Sequence, residues 1–127
     1  MSTTSTTTTQ PKITGMDTVA YLIKDVERAR RFYGDTLGLP VQSEFPQGAE
    51  YELSDGTTFS IWKMQDGTWH PSAGIMFHVD DVNAAVEYYR ANGVTIKEDA
   101  FDTGGCLMAG CEDSEGNSFI LHARKPA

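Results

Sequence analysis

The sequence is short of cationic side chains and of long apolar runs. Lysine and arginine total 10 of 127 residues, against 18 aspartates and glutamates, and the formal net charge is −8. A surface of that sign repels nucleic-acid phosphates, so DNA or RNA binding is not expected. No apolar stretch approaches the ~20 residues of a membrane-spanning helix, and no basic segment followed by an apolar one resembles a signal peptide. We therefore expect a cytoplasmic protein that does not contact membranes.

Cysteine is scarce as well, with only Cys106 and Cys111 present. If both lie on one strand, five steps separate them by roughly 17 Å, and the odd spacing places them on opposite faces. A disulfide between them is then not geometrically reasonable. As metal ligands they would form a single C-x4-C pair without a second pair elsewhere, so we interpret them as ordinary thiols.

Apolar residues are almost missing from residues 1–12, which read MSTTSTTTTQPK. Such a segment cannot bury enough surface to offset the entropy of ordering it, and we predict a disordered tail. The remaining residues, 13–127, are long enough for one compact domain with its own core.

What the sequence does contain is an internal repeat. Asp25 and Phe32 of the first copy correspond to Asp81 and Tyr88 of the second, each 56 positions later. Each copy predicts a strand and then a helix whose N-cap aspartate can accept a backbone N–H. The first helix is predicted over 26–37, and the second begins at 82 and ends near Gly93. Because both copies must share one fold, we expect a site where they meet.

Three more strands are predicted after each helix. They fall near 41–45, 50–53 and 57–64 in the first copy and near 94–97, 107–112 and 118–123 in the second. Tight hairpins are predicted at 54–57 and 113–117. Each copy is therefore strand, helix, strand, strand, strand, an α+β unit with the helix on one sheet face. The copies span about 16–64 and 73–125, and two such units together would form a curved sheet around a cavity.

The sequence resembles the vicinal oxygen chelate superfamily, also called the glyoxalase, bleomycin-resistance and extradiol-dioxygenase superfamily. The matching segments, within residues 16–125, are VAYLIKDVERARRFYGDTLGL, DGTTFSIW, FHVDDVNAAVEYYRANGV and DSEGNSFIL. The resemblance implies two tandem βαβββ modules, a U-shaped cup of eight strands, and a homodimer. It does not fix the function.

The resemblance also implies where metal-dependent members bind a divalent ion. Their ligands are His or Gln on the first strand, Glu on the fourth, His at the start of the second module, and Glu on the last strand. The corresponding positions here are Thr18, Ser60, Gly74 and Ile120. Glycine and isoleucine have no side-chain donor, and hydroxyls bind divalent metals weakly beside imidazole and carboxylate. We therefore expect no metal or other cofactor at this standard site.

Strand alternation extends these positions to a predicted cup lining. If the four positions of the family's metal ligands point into the cup, residues two positions away on the same strand point into it too. The predicted lining is Thr18, Leu22, Ser60, Trp62, Met76, His78, Ile120 and His122. A mostly apolar set with one aromatic ring system and two imidazoles is typical of a small-molecule site.

The sequence leaves the roles of these aromatic residues open. Trp62 either stacks on a planar ligand or closes the floor of the cup as a core residue. His78 and His122 are packed histidines, hydrogen-bonding partners of a ligand, or part of a relocated metal or acid–base site. Trp69 and His70, in the linker between the copies, are rim, dimer-contact or plain surface residues.

Two functions follow from the resemblance and the replaced ligands. The first is a metal-independent protein, similar to the bleomycin-resistance branch, that binds and sequesters an aromatic or amphipathic small molecule such as an antibiotic. The alternative is a glyoxalase-like lyase or isomerase, or a dioxygenase, with an unusual site around His78 and His122. The missing ligands favour the first, and a dimeric protein with a vestigial cup is a third possibility.

Overall fold

The structure, a computed structural model, describes residues 9–126. The predicted N-terminal tail therefore lies mostly outside the described residues. Residues 9–12 are exposed and belong to no helix or strand.

Two modules of the same plan follow each other along the chain. The first consists of β1 (Val19–Leu22), α1 (Val26–Arg30), a π-helical segment (Arg31–Thr36), β2 (Val41–Phe45), β3 (Gly48–Glu52) and β4 (Thr58–Trp62). The second consists of β5 (Ile75–His78), α2 (Val82–Ala91), β6 (Thr95–Asp102), β7 (Cys106–Glu112) and β8 (Ser118–Arg124). The predicted α+β class with tandem βαβββ modules is confirmed.

The eight strands are divided between two four-stranded sheets, one for each module. Their strand orders are β1-β4-β3-β2 and β5-β8-β7-β6. The first strand of each module runs parallel to the last, and the other neighbours are antiparallel. The helix lies between the first two strands in the sequence, so it carries the chain across one face of the sheet.

Both helices begin at the predicted aspartates. Asp25 accepts a hydrogen bond from the Arg28 backbone N–H at 2.9 Å, and Asp81 accepts one from Ala84 at 3.0 Å. No helix within residues 9–126 has the length and apolar character to cross a membrane.

The first helix departs from the prediction of one α-helix over 26–37. It is α-helical only to Arg30 and then π-helical, with the Leu37 backbone N–H donating to the Phe32 carbonyl at 2.8 Å. The neighbouring residues Phe32 and Tyr33 are both buried in this segment. The wider turn of a π-helix brings adjacent side chains closer in direction, which lets both rings face the core.

The core lies between the helix-bearing faces of the two sheets. Phe59 on β4 packs edge-on against Phe77 on β5, with 5.5 Å between ring centroids, and Phe77 packs against Phe119 on β8 at 5.8 Å. Tyr33, from the π-helical segment, lies 4.9 Å from the Phe59 ring. Because side chains alternate along a strand, the residues between these point away from the core. Each sheet therefore has an outer face that no other part of residues 9–126 covers completely.

Both cysteines lie on β7, on alternate faces, and both are free thiols. Cys111 is buried, and its burial raises the pKa of the thiol to about 11. Cys106 is half-buried, with its Sγ 3.0 Å from Thr103 Oγ1. The odd spacing thus separates them as predicted from the sequence.

Candidate functional site

Four of the eight predicted lining residues belong to the outer face of the first sheet: Thr18, Leu22, Ser60 and Trp62. The strand register places Ser60 between Ala20 on β1 and Glu50 on β3. The Thr18 and Ser60 hydroxyls are 2.8 Å apart, and the Ser60 hydroxyl donates to Glu50 Oε2 at 3.4 Å. This face therefore carries two hydroxyls and a carboxylate that are linked by hydrogen bonds.

Sequence reasoning missed Glu50. The signal for it was available, because positions 50 and 60 lie five residues on either side of Asp55 at the hairpin tip. Antiparallel strands joined by that hairpin bring those two side chains side by side on one face. Glu50 therefore belongs to the candidate site with Thr18 and Ser60.

Trp62 lies farther along the same face. It is 37% exposed, and its ring centroid is 5.2 Å from that of Phe45. It is paired with Gly48, where a Cβ atom would lie only 1.8 Å from the Ile61 carbonyl oxygen. A shallow pocket of about 380 Å³ adjoins it, lined by Gln47, Trp62, Met64, Gln65 and Asp66. Trp62 is thus a partly exposed aromatic surface rather than a residue closed within the core.

The other four predicted residues lie on the outer face of the second sheet. Met76 pairs with Ile120, and His78 pairs with His122, across β5 and β8. Met76 is 51% exposed. His78 Nε2 lies 3.0 Å from Asp80 Oδ1, and the His78 side chain is 70% exposed. This face therefore presents apolar side chains beside one exposed imidazole, His78, and one half-buried imidazole, His122.

The Phe59–Phe77 contact shows that the other faces of the two sheets take part in the core. Within one chain, the eight predicted residues thus lie in or next to two four-stranded sheets, and their arrangement around one cavity stays a prediction. Three of them, Thr18, Met76 and His78, lie at a groove between the modules, whereas Trp62 lines the shallow pocket. Their contact with a ligand stays a prediction.

The groove between the modules has a volume of about 930 Å³. One wall is formed by residues 16–21 and by the hairpin at 53–59, and the other by residues 73–78 of the linker and β5. The loop at 37–40 and Tyr89 of α2 complete it. Its walls are mainly apolar, and its ionisable side chains include Asp17, Asp55 and His78. Hydrogen bonds from Thr57 lower the pKa of the Asp55 carboxyl, so the groove holds a carboxylate at neutral pH.

The residues at the metal positions of the family do not form a metal site. Thr18 and Ser60 hydrogen-bond to each other, Gly74 offers no side chain, and Ile120 is aliphatic. No group of three or more His, Cys, Asp or Glu suited to a metal ion is found within residues 9–126. The donors that are present therefore do not fit the divalent ion of the metal-dependent members.

Comparisons with known proteins agree with this architecture. Residues 15–121 match the sequence family described as the Glyoxalase/Bleomycin resistance protein/Dioxygenase superfamily. The uncharacterized protein YetH of Bacillus subtilis (strain 168) is 24% identical over 112 residues, which cover 82% of this chain and 93% of YetH.

Two solved structures illustrate the range of functions on this fold. TnmS3, an antibiotic binding protein from Streptomyces sp. CB03234, has a TM-score of 0.79 at 19% identity, covering 91% of this chain and all of TnmS3 (100%). Lactoylglutathione lyase from Agrobacterium tumefaciens has a TM-score of 0.75 at 17% identity, covering 88% of this chain and 95% of the lyase. At these identities the similarity shows the shared fold and no more.

Proposed function

Because the chain belongs to the glyoxalase/bleomycin resistance protein/dioxygenase superfamily, we propose that it binds and sequesters a small aromatic or amphipathic molecule without a metal ion. One observation carries this proposal: the hydroxyls of Thr18 and Ser60 satisfy each other at two of the family's metal positions. In their place the first sheet offers Glu50 and a partly exposed Trp62 on the same face. An aromatic surface beside a few placed polar groups is suited to a planar organic ligand.

We further propose that the ligand site is completed in a homodimer. Within one chain, Thr18, Met76 and His78 meet at the groove between the modules, and a second copy would bring Ser60 and Trp62 together with Ile120 and His122. In that arrangement, the outer face of the first sheet in one copy meets the outer face of the second sheet in its partner. Exposed Trp62, Met76 and Phe101 would then be covered. An antibiotic is one candidate ligand, since TnmS3 of the same fold is an antibiotic binding protein.

Tryptophan fluorescence tests this proposal, because the chain has only two tryptophans, Trp62 and Trp69. Planar small molecules would be titrated into the full chain, and binding would be followed by quenching. We expect Trp62→Phe to abolish most of the quenching and Trp69→Phe, the matched control, to retain it. Trp62→Ala should weaken binding by about tenfold, the loss of roughly 1.4 kcal/mol of ring contact. An unchanged affinity in Trp62→Ala would exclude the stacking role.

Two further measurements on the wild-type chain address the dimer and the metal. Light scattering after size-exclusion chromatography should give twice the chain mass of 13.9 kDa. Elemental analysis of untagged protein purified without chelator should give far less than one metal ion per chain. A monomer that still binds ligand would contradict the shared site, and near-stoichiometric zinc, nickel, manganese or iron would contradict the metal-independent function.

One observation favours a second candidate function, an enzyme of the lyase or isomerase kind. His78 and His122 are paired neighbours on β5 and β8, and a carboxylate of Asp80 lies 3.0 Å from His78 Nε2. An imidazole oriented by a carboxylate is a usual arrangement for proton transfer. Turnover of an α-hydroxycarbonyl or thiohemiacetal substrate that is lost in His78→Ala and His122→Ala would favour this function over sequestration.

A further inference from the structure

The two modules meet at two junctions related by the repeat, and one of them is closed. In the closed junction, the hairpin at 113–117 packs against the end of β1 and the start of α1. Asn117 Nδ2 donates to the Leu22 carbonyl at 2.8 Å, and the Tyr33 hydroxyl donates to Asp113 Oδ2 at 2.5 Å. The polar contacts of this junction come from Tyr21, Arg28, Tyr33, Asp113, Glu115 and Asn117.

The hairpin at 53–57 is the counterpart of the closed hairpin. In each, the first residue donates a backbone hydrogen bond of 2.8 Å to the fifth: Leu53 to Thr57, and Asp113 to Asn117. Gly56 and Gly116 have positive φ angles of 88° and 95° at the same place in the turn. Corresponding residues of the two hairpins are therefore 60 positions apart, whereas corresponding residues of the first strand and the helix of each module are 56 positions apart.

These spacings identify the residue that replaces each polar member of the closed junction. At the spacing of 56, Tyr21, Arg28 and Tyr33 correspond to Phe77, Ala84 and Tyr89. At the spacing of 60, Asp113, Glu115 and Asn117 correspond to Leu53, Asp55 and Thr57. The arginine has become alanine, one carboxylate has become leucine, and the amide has become a threonine. Five of the six replacements line the groove; Ala84 is the exception. The groove is thus the open counterpart of a junction that is closed by hydrogen bonds and an ion pair on the other side.

The chemistry of the groove follows from these replacements. Phe77 and Leu53 present apolar surface where the closed junction has a tyrosine and an aspartate. Asp55 keeps a carboxylate in the place of Glu115, and Asp17 contributes a second one, but no lysine or arginine lines the groove within the described part of the chain. The two carboxylates outnumber His78, the one imidazole in the groove, and an apolar groove with an excess of carboxylates complements an organic cation with an apolar body.

We propose that this groove is a second ligand site, one that binds an amphipathic organic cation within a single chain. It borders the outer sheet faces at Thr18, Met76 and His78, but its remaining walls are formed by core-side residues such as Phe59 and Phe77 and by the hairpin at 53–57. The ammonium group would lie beside Asp55, and the apolar body would lie against Phe77 and Tyr89. This site does not require the dimer.

Three naphthalene probes that share a 1-naphthylmethyl group and carry a cationic, a neutral or an anionic polar group test the proposal. They are 1-naphthylmethylammonium, 1-naphthylmethanol and 1-naphthylacetate, titrated into the ¹⁵N-labelled full chain and followed by amide chemical shifts. We expect the ammonium probe to shift the amides of Asp55, Thr57, Phe77 and Tyr89, the alcohol to do so more weakly, and the acetate least. Equal affinity for all three probes, or tightest binding of the acetate, would overturn the proposal.

The chain offers a matched pair of variants for the carboxylate. Asp55 and Asp66 both precede a glycine with positive φ, and each accepts a hydrogen bond from the backbone N–H two residues later, at 3.0 and 2.9 Å. Only Asp55 lines the groove. Asp55→Asn should weaken binding of the ammonium probe by about threefold, as expected for a partly solvated charge pair. Asp66→Asn should leave the affinity for this probe unchanged. An equal effect of both variants would reduce the proposal to a general charge effect and overturn it.

Two other outcomes would assign the groove or the probe differently. If the ammonium probe converts a dimer to monomers in light scattering, a second copy occupies the groove and the proposed site is wrong. If the probe shifts the amides of Gln47 and Trp62 instead, it binds the outer sheet face and again not the groove. If the ammonium probe still shifts the amides of the groove residues in Trp62→Ala, the groove binds independently of the outer face that carries Trp62.

Discussion

Glu115 is the residue whose replacement most directly tests how the modules are held together. Its carboxylate is 1% exposed. One oxygen accepts hydrogen bonds from the backbone N–H groups of Lys24 and Asp25, both at 2.8 Å, and the other accepts from Arg28 Nε at 2.6 Å and from Ser114 at 2.9 Å. The carboxylate therefore joins the hairpin of the second module to the start of the first helix.

The size of the effect follows from the pKa of this carboxyl. Burial alone would raise the pKa, but the hydrogen bonds from Arg28 and from the Asp25 and Lys24 backbone outweigh it and lower the pKa from 4.5 to about 2. At about 1.4 kcal/mol per pKa unit, the folded protein favours the ionised form by on the order of 3 kcal/mol. Breaking a buried ion pair by removing one partner costs a similar amount, about 3–5 kcal/mol.

We therefore expect Glu115→Gln to lower the free energy of unfolding by about 3 kcal/mol, measured by urea denaturation followed by circular dichroism. Glutamine keeps the shape but places an NH₂ group against donors. The matched control is Asp55→Asn, the exposed counterpart in the first hairpin, which should cost no more than about 0.5 kcal/mol. A loss below about 1 kcal/mol in Glu115→Gln would refute the argument.

The pH dependence gives an independent check with a defined sign. The folded-state pKa is lower than the unfolded one, so this contribution is fully present above the unfolded value of 4.5 and is lost as the pH falls toward about 2. Wild-type stability should therefore decline across this window, and the decline should be shallower in Glu115→Gln because the titrating group is gone. Identical slopes in the two proteins would contradict the assignment of the pKa to this contact.

Three further predictions concern single residues. Tyr33→Phe removes the buried hydrogen bond to Asp113 without changing shape and should lower the free energy of unfolding by about 1–3 kcal/mol in urea; a neutral result would mean that Asp113 finds another partner. Gly48→Ala places a Cβ 1.8 Å from the Ile61 carbonyl oxygen and should destabilise by at least about 2 kcal/mol in the same assay, whereas wild-type stability would show that β3 can shift. His78→Ala should leave the metal content by elemental analysis unaltered, and the loss of a bound ion would instead reveal a relocated site.

Local patterns in the sequence were sufficient to predict the order of the strands and helices, but not the π-helical segment or the full length of β6. The helix caps at Asp25 and Asp81 and the Asp-Gly hairpin at Asp55 each depend on neighbouring residues alone, and the structure contains all three. The change from α-helix to π-helix after Arg30 was missed because it accompanies the burial of two adjacent rings, Phe32 against Phe119 of the second module and Tyr33 against Phe59 of the first. That requirement is tertiary, and no local pattern expresses it.

The arrangement of the candidate site depends on the packing of the modules, which the sequence does not express. Strand alternation correctly groups Ser60 with Trp62 and Met76 with His78, because alternation is a property of each strand. It does not determine which sheet face meets the other module. In the structure, Phe59 and Phe77 form that contact, so the two groups lie on the sheet faces turned away from it.

The contacts of Trp69 were equally hidden from the sequence. Its indole N–H donates to the Leu22 carbonyl at 3.2 Å, and the Lys24 ammonium lies 4.2 Å from its ring centroid. The linker between the copies therefore packs on the end of β1. A linker residue could be assigned to that place only once the junction between the modules was known.

The two junctions together explain how a duplicated unit can provide both stability and a binding surface. If both junctions had kept their buried hydrogen bonds, the modules would be fixed on both sides and no groove would remain. If both had lost them, the modules would be joined mainly by aromatic contacts such as those of Phe77 with Phe59 and Phe119. Because the closed junction contributes its ion pair and hydrogen bonds on one side, the other side can exchange polar contacts for an open apolar surface. The absence of a counterpart to Arg28 at Ala84 matters most, since a carboxylate at 55 then has no guanidinium beside it and remains available to a cation from solution.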